Sequence, residues 1–343
     1  MCNLRKKFRE IYKSYKEVIL TNIINERGIS MKLDKEKLGE ASGNLANDAK
    51  KITENISGKT KEMVTKSKDK VVTTMDVNGD GHVDIEDVII LGLRTPGIRI
   101  TRSEFLRKEL MKKYPEEVIE KAIEITPAKA GIAVEEINII ADEVIKFERN
   151  CVTGISAALG APGGATMVAT LPADIIQYYG YMLRATQKLM YLYGFPEIDV
   201  EEKEQTFDSE TLNILIICFG VMYGVAGANN AIKAMAKGLA KGISKKIMST
   251  ALTKGTLYPI VKSIAKWFGV KMTKKLLTGM VQKSLPIVGS VVGGGITYVS
   301  FKPCCDKLKE SLQDTLLSNP NHIETDEENI IIDNIEFEIS ENN

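Results

Sequence analysis

The chain has 343 residues, 44% hydrophobic and 27% charged, enough to bury a sizeable core in roughly one to three domains. Its net charge of +1 hides a strong segregation: Thr211 to Cys305 holds thirteen Lys and no Asp or Glu, whereas Asp306 to Asn343 holds eleven acids and two Lys. Two histidines, five cysteines without Cys-x-x-Cys spacing and no His-Glu-x-x-His leave no material for Ser-His-acid, Cys-His or zinc-hydrolase chemistry, nor for a disulfide framework.

Residues 1–58 mix basic and polar stretches broken by Gly28, Gly39, Gly43 and Gly58, which predicts one basic helix within a partly disordered region. Met1 to Gly28 lacks an apolar core followed by a small-residue cleavage site, so it does not read as a secretory signal; a cytoplasmic protein with reduced thiols is expected.

Residues 60–95 carry the most specific pattern. Asp76, Asn78, Asp80 and Asp84 place oxygens at positions 1, 3, 5 and 9 of a twelve-residue loop, Gly81 occupies the sharp turn at position 6, and Asp87 closes position 12. His82 stands at position 7, which ligates through its backbone carbonyl. Val64, Val71, Val72 and Met75 precede the loop at helical spacing; Ile85, Val88, Ile89 and Leu91 follow it until Gly92 and Thr95-Pro96-Gly97. This loop is similar to the calcium loop of an EF-hand. The bland alternative is an Asn-Gly/Asp-Gly turn that binds nothing. Asp at position 12 reaches less far than Glu, which improves the odds for Mg2+ against Ca2+. No second loop follows the register, so the motif either pairs between chains, giving a homodimer, or acts alone as a local staple.

Three helices are predicted next: one capped by Ser103 with Phe105, Leu106 and Leu110, one opened by Pro115 with Val118, Ile119, Ala122 and Ile123, and one from Val134 to Phe147. The uncharged runs 150–173, 211–232 and 284–301 approach the length of a membrane span. The first is broken by Pro162, Gly163, Gly164 and Pro172, and the second ends in Gly224 and Gly227. The third is marginal in length and carries Gly289 and Gly293 four apart, a spacing that permits close helix contact in a membrane or in a tight soluble core. Buried core helices are the expectation, and an integral membrane or transporter-accessory protein is the alternative. Gly160 to Thr166 lacks a Gly-Lys-Ser/Thr ending and reads as a turn between helices, not a phosphate loop. After Pro172, the residues Asp174, Gln177, Tyr181, Arg184 and Gln187 share one helical arc, expected to be a solvated face and alternatively a polar site in apolar surroundings.

Lys233, Lys237, Lys241 and Lys245 recur every four residues beside Ile232, Met235, Leu239 and Ile243. Farther on, Lys262, Lys266, Lys271, Lys274 and Lys275 surround Trp267 and Phe268. Cationic helices beside an interfacial aromatic suit an anionic membrane surface. The competing reading is a lysine face neutralised by the acidic tail. The absence of Arg from this segment argues against nucleic acid.

Gly160-Ala-Pro-Gly-Gly, Leu171-Pro-Ala-Asp174 through Gly180, Arg184 through Leu189 and Tyr191 to Phe195, with the later Leu285-Pro-Ile-Val-Gly-Ser-Val-Val-Gly-Gly-Gly, Tyr298 and Phe301-Lys-Pro, resemble the bacterial EcsC family over approximately residues 95–317. The resemblance implies an α-helical protein, non-enzymatic or uncharacterised, cytosolic or membrane-associated, and linked by name to an exporter locus; it supplies no catalytic residues. The sequence therefore predicts an all-α, multi-helix bundle with a single EF-hand helix-loop-helix and a poorly ordered acidic tail. Its divisions are 1–58, 60–95, 96–317 and 318–343, and its function is that of a non-enzymatic calcium-binding protein peripheral to the inner face of a membrane.

Overall fold

The computed structural model describes residues 75–77, 79, 81, 83–160, 164–198, 209–243, 245–269, 288–319 and 321–341, all within one unit, Lys66–Asn343. The basic region 1–58, the helix expected before Met75, most of the acidic linker 197–210 and Lys271, Lys274 and Lys275 lie outside the described residues. Among those described there are eleven helices and no strand.

In chain order they are α1 (Ile85–Arg94), α2 (Arg102–Leu110), α3 (Glu116–Glu124), α4 (Val134–Gly160), α5 (Gly164–Leu192), α6 (Ser209–Tyr223), α7 (Ala228–Ala240), α8 (Lys245–Thr253), α9 (258–269), α10 (Val288–Gln313) and α11 (Asp326–Glu341). From Ile214 onward helix α6 is apolar around its whole circumference, burying Leu215, Ile216, Ile217, Cys218, Phe219 and Met222 completely. A helix without a polar stripe belongs inside a core, and α1, α7, α8 and α10 pack around it. The long helices α4, α5 and α10 pack on one another beside it. The uncharged run 211–232 is thus two helices meeting at Gly224–Gly227, and no helix among the described residues is long and apolar enough to cross a membrane.

Several boundaries differ from expectation. Thr101, not Ser103, is the N-cap of α2, with no side-chain cap bond. Arg102 explains why that start holds without one. Its guanidinium, almost wholly buried, donates to the carbonyls of Ala122 and Ile125 at 3.2 Å and to that of Ile123, closing the C-terminal end of α3, and its Nε donates to the carbonyl of Phe195 at 3.2 Å. A cation at a helix C-terminus satisfies carbonyls that lack intrahelical donors. Helix α4 runs past Phe147 to Gly160 because Val152, Ile155 and Ser156 continue its buried stripe against α5. Of the turn expected over Gly160 to Thr166, Gly160 ends α4 and Gly164, Ala165 and Thr166 belong to α5, while residues 161–163 lie outside the described set.

The larger correction concerns the C-terminal tail. Instead of the poorly ordered tail expected over 318–343, Asp326–Glu341 is α11, packed on α7 and α8. Ile332 and Ile335, three apart, are fully buried. Thr325 and Glu328 form a reciprocal cap at its start: Glu328 N–H donates to Thr325 Oγ1 at 3.3 Å and Thr325 N–H to Glu328 Oε2 at 3.1 Å.

Candidate functional site

Helix α1 begins where the candidate calcium loop ends. Asp84 is its N-cap, accepting the N–H groups of Glu86 (2.8 Å) and Asp87 (3.1 Å) on Oδ1 alone. Its Oδ2 takes no part in that cap. Asp76, half-buried, accepts the N–H of Gly79 on Oδ1 (2.6 Å) and that of Gly81 on Oδ2 (2.9 Å). Both glycines adopt left-handed φ values, 77° and 82°, so the chain can fold back over its first carboxylate.

Asp87 departs from the expected geometry. It is buried, with Oδ1 accepting Val77 N–H at 2.8 Å and Oδ2 accepting Asp84 N–H at 3.0 Å. The residue closing position 12 is therefore a clasp between the two ends of the loop, and its short side chain is spent on backbone donors. Asn78, Asp80 and His82 lie outside the described residues, and among those described no group of three or more His, Cys, Asp or Glu is arranged to hold a metal. Asp76 and Asp84 fit a hard cation; Asp87 fits the role of loop closure better than that of bidentate ligand.

The exit helix is fastened to the body. Gly92 of α1 crosses α5 so closely that a Cβ there would lie 2.5 Å from Leu183 Cδ1 and 3.7 Å from Gly180 Cα. Just beyond, Gln187 donates from Nε2 to the carbonyl of Ile98 and accepts the N–H of Ile100, both at 3.1 Å, and Arg184 donates to the carbonyl of Gly97.

These contacts overturn the reading of the α5 arc as a solvated face. Asp174, Gln177, Tyr181 and Gln187 are all buried, and Arg184 is 21% exposed in its side chain. At one end Ser156 donates to Asp174 at 3.0 Å, and Gln177 donates to the carbonyl of Val152 at 3.4 Å. At the other, Glu148 of α4 receives Arg184 Nε at 3.0 Å and Lys188 Nζ at 2.6 Å. Burial works against the Arg184 charge, but Glu148 more than offsets it and holds its pKa above the usual arginine value. The arc is a polar seam inside an apolar interface, and its chemistry is ion pairing and hydrogen bonding.

The lysines divide into two groups. Lys233 and Lys237 are turned under the acidic tail: Lys233 Nζ lies 2.5 Å from Asp314 and 3.8 Å from Glu328, while Lys237 Nζ lies 2.5 Å from Glu324 and also donates to Asn329. Only 10% and 4% of their side chains remain exposed. His322 bridges the same acids, with Nδ1 2.9 Å from Asp314 and Nε2 3.0 Å from Glu328. This is tail neutralisation, not an open cationic face. Lys241, Lys262 and Lys266 are exposed, the last two one turn apart on α9. Trp267 beside them packs edgewise on Phe268 and against Tyr223, at 5.1 and 5.9 Å between ring centres. The side chain of Lys245 lies outside the described residues, as do Lys274 and Lys275.

The thiols offer no nucleophile of ordinary reactivity in the core: burial pushes Cys218 up to about 12 and Cys305 well above its usual value. Cys151, Cys218, Cys304 and Cys305 are all unbridged.

Residues that sequence reasoning missed are Glu148, Lys188, Arg102 and His322. The first three fall inside helices whose partners are remote in sequence; His322 precedes Thr325-Asp-Glu-Glu328, a readable capping signature. Comparison with protein-family models, curated proteins and solved structures finds no match to this chain.

Proposed function

We propose that this chain is a non-enzymatic, calcium-binding helical protein of EcsC-like type, in which a single ion loop, Asp76–Asp87, is anchored to an all-α body. The reading is carried by Asp76: its carboxylate gathers the Gly79 and Gly81 N–H groups at the head of a loop whose sequence places oxygens at positions 1, 3, 5 and 9. Asp76, Asn78, Asp80 and Asp84 would supply side-chain oxygens and His82 its carbonyl, with Asp87 closing the loop. The body resemblance rests on the glycine-proline blocks alone. Titration calorimetry with Ca2+ and with Mg2+ tests the ion: Asp76→Ala/Asp80→Ala removes the binding heat, and equal heats for wild type and variant would remove the loop from the account.

A second reading, peripheral contact with an anionic lipid surface, is favoured by the exposure of Lys262 and Lys266 on one face of α9 beside Trp267. Sedimentation with phosphatidylserine–phosphatidylcholine vesicles tests it; Lys262→Gln/Lys266→Gln is expected to weaken binding, and identical binding of variant and wild type sinks the assignment to α9.

A further inference from the structure

Lys233 and Lys237 of α7 and its C-cap Lys241 stand four apart, yet only Lys241 is open to solvent. What covers the other two is the acidic segment after α10. Residues 321–343 contain eight acids and no Lys or Arg, and three carboxylates, those of Asp314, Glu324 and Glu328, lie within 4 Å of the two ammonium groups. The apolar part of the docking is narrow. Ile332 and Ile335 are buried, but Ile330 and Phe337 of the same helix are 59% and 60% exposed. Charge therefore contributes a large share of the grip on the tail, and a surface dense in anionic oxygens offers the lysines an equivalent set of partners.

We propose that the acidic segment from Asp314 through α11 is an intramolecular stand-in for an anionic lipid surface: its Asp314, Glu324 and Glu328 hold Lys233 and Lys237 masked, and an anionic membrane displaces them and takes both lysines alongside Lys241. This rests on the lipid-surface reading and adds its regulation. Lipid is favoured over nucleic acid because residues 211–305 contain no Arg to grip phosphates bidentately. Displacement exchanges one set of ammonium–oxyanion pairs for another, so its cost lies in re-exposing Ile332 and Ile335 and in breaking the buried His322–Glu328 contact.

Vesicle sedimentation with the full chain tests this. Asp314→Asn/Glu324→Gln neutralises the two acids nearest the lysines, both at partly exposed side chains. It should bind phosphatidylserine-containing vesicles about tenfold more tightly than wild type, and adding Lys233→Gln/Lys237→Gln should cancel the gain. Equal binding of wild type and the Asp314/Glu324 variant overturns the masking and leaves the lipid reading standing. Absence of binding in every variant overturns both. Hydrogen exchange on the unmodified chain gives an independent readout: α11 amides around Ile332–Ile335 should lose protection on adding phosphatidylserine vesicles but not phosphatidylcholine alone, and unchanged protection in bound protein refutes displacement.

Discussion

Lys188 Nζ lies 2.6 Å from Glu148 Oε1, and Glu148 has no exposed surface. The same carboxylate holds Arg184, so two cations of α5 share one anion of α4. The Lys188 ammonium is further flanked by the rings of Phe105 and Phe147 at 5.6 and 5.5 Å. Removing the anion strands two positive charges in an apolar interface. Glu148→Ala is expected to destabilise the fold by about 3–5 kcal/mol, measured by denaturant unfolding. A loss under about 1 kcal/mol would mean that water already solvates the cluster.

The clasp at Asp87 gives a prediction with opposite signs for stability and ion binding. Asp87→Glu lengthens the side chain, so one oxygen keeps the Asp84 N–H, as Glu328 keeps that of Thr325, while the other leaves Val77 N–H and reaches toward the loop centre. Without the ion the variant should be less stable by about 1 kcal/mol, the loss of the Val77 hydrogen bond. Its calcium affinity should rise and its relative magnesium affinity fall, read by calorimetry. Weaker calcium binding would show that Asp87 acts only through the backbone.

Gly92 and Gly154 are helical glycines with contrasting surroundings. A methyl at Gly92 meets fully buried Leu183, whereas one at exposed Gly154 meets nothing within 4 Å. Gly92→Ala should cost about 1–3 kcal/mol through forced repacking. Gly154→Ala should be neutral or stabilising by up to about 1 kcal/mol, since Ala loses less backbone entropy in a helix. Paired thermal melts check the contrast, and equal shifts would refute the close α1–α5 crossing.

Tail docking should depend on pH through His322. Burial opposes its charge, but hydrogen bonds to Asp314 and Glu328 outweigh this and raise its pKa above the ordinary 6.5; Glu324 and Lys233 stand in the same cluster. A raised folded pKa stabilises fully below 6.5 and loses that contribution as pH rises through the folded value. Asp314 runs the other way. Burial alone would raise its pKa, but Lys233 and His322 hold it below the usual value, so its contribution disappears as pH falls through that depressed value. Protection factors of the α11 amides, with the intrinsic pH dependence of exchange divided out, should thus be highest in mildly acidic solution and lower at alkaline pH, with His322→Gln abolishing the alkaline loss. A flat profile in wild type would remove His322 from the latch.

Local signals carried much of this fold. Pro115 marked the start of α3, Thr95-Pro96-Gly97 the end of α1, and Gly224 and Gly227 the break between α6 and α7, because these residues restrict the backbone wherever they stand. The polar arc of α5 was legible as an arc but not as buried. The anion that makes its burial tolerable, Glu148, is 36 positions from Arg184, and a helical wheel holds no information about the opposite helix. The tail misled for a similar reason: three consecutive isoleucines favour an extended chain locally, and packing of Ile332 and Ile335 on α7 and α8 overrides that preference. Charge segregation was the more faithful guide. Thirteen lysines followed by eleven acids named both partners of the latch without giving its register.

That pairing also sets an order of events during synthesis. Lys233 and Lys237 leave the ribosome well before Asp314, His322, Glu324 and Glu328, and chains acquire structure as they emerge. Until the last helix arrives, the nascent molecule carries a cationic patch without its counter-charges, and Ile332 and Ile335 have yet to cover their side of α7 and α8. Arrival of this segment is then the step that supplies those counter-charges and covers that side of α7 and α8.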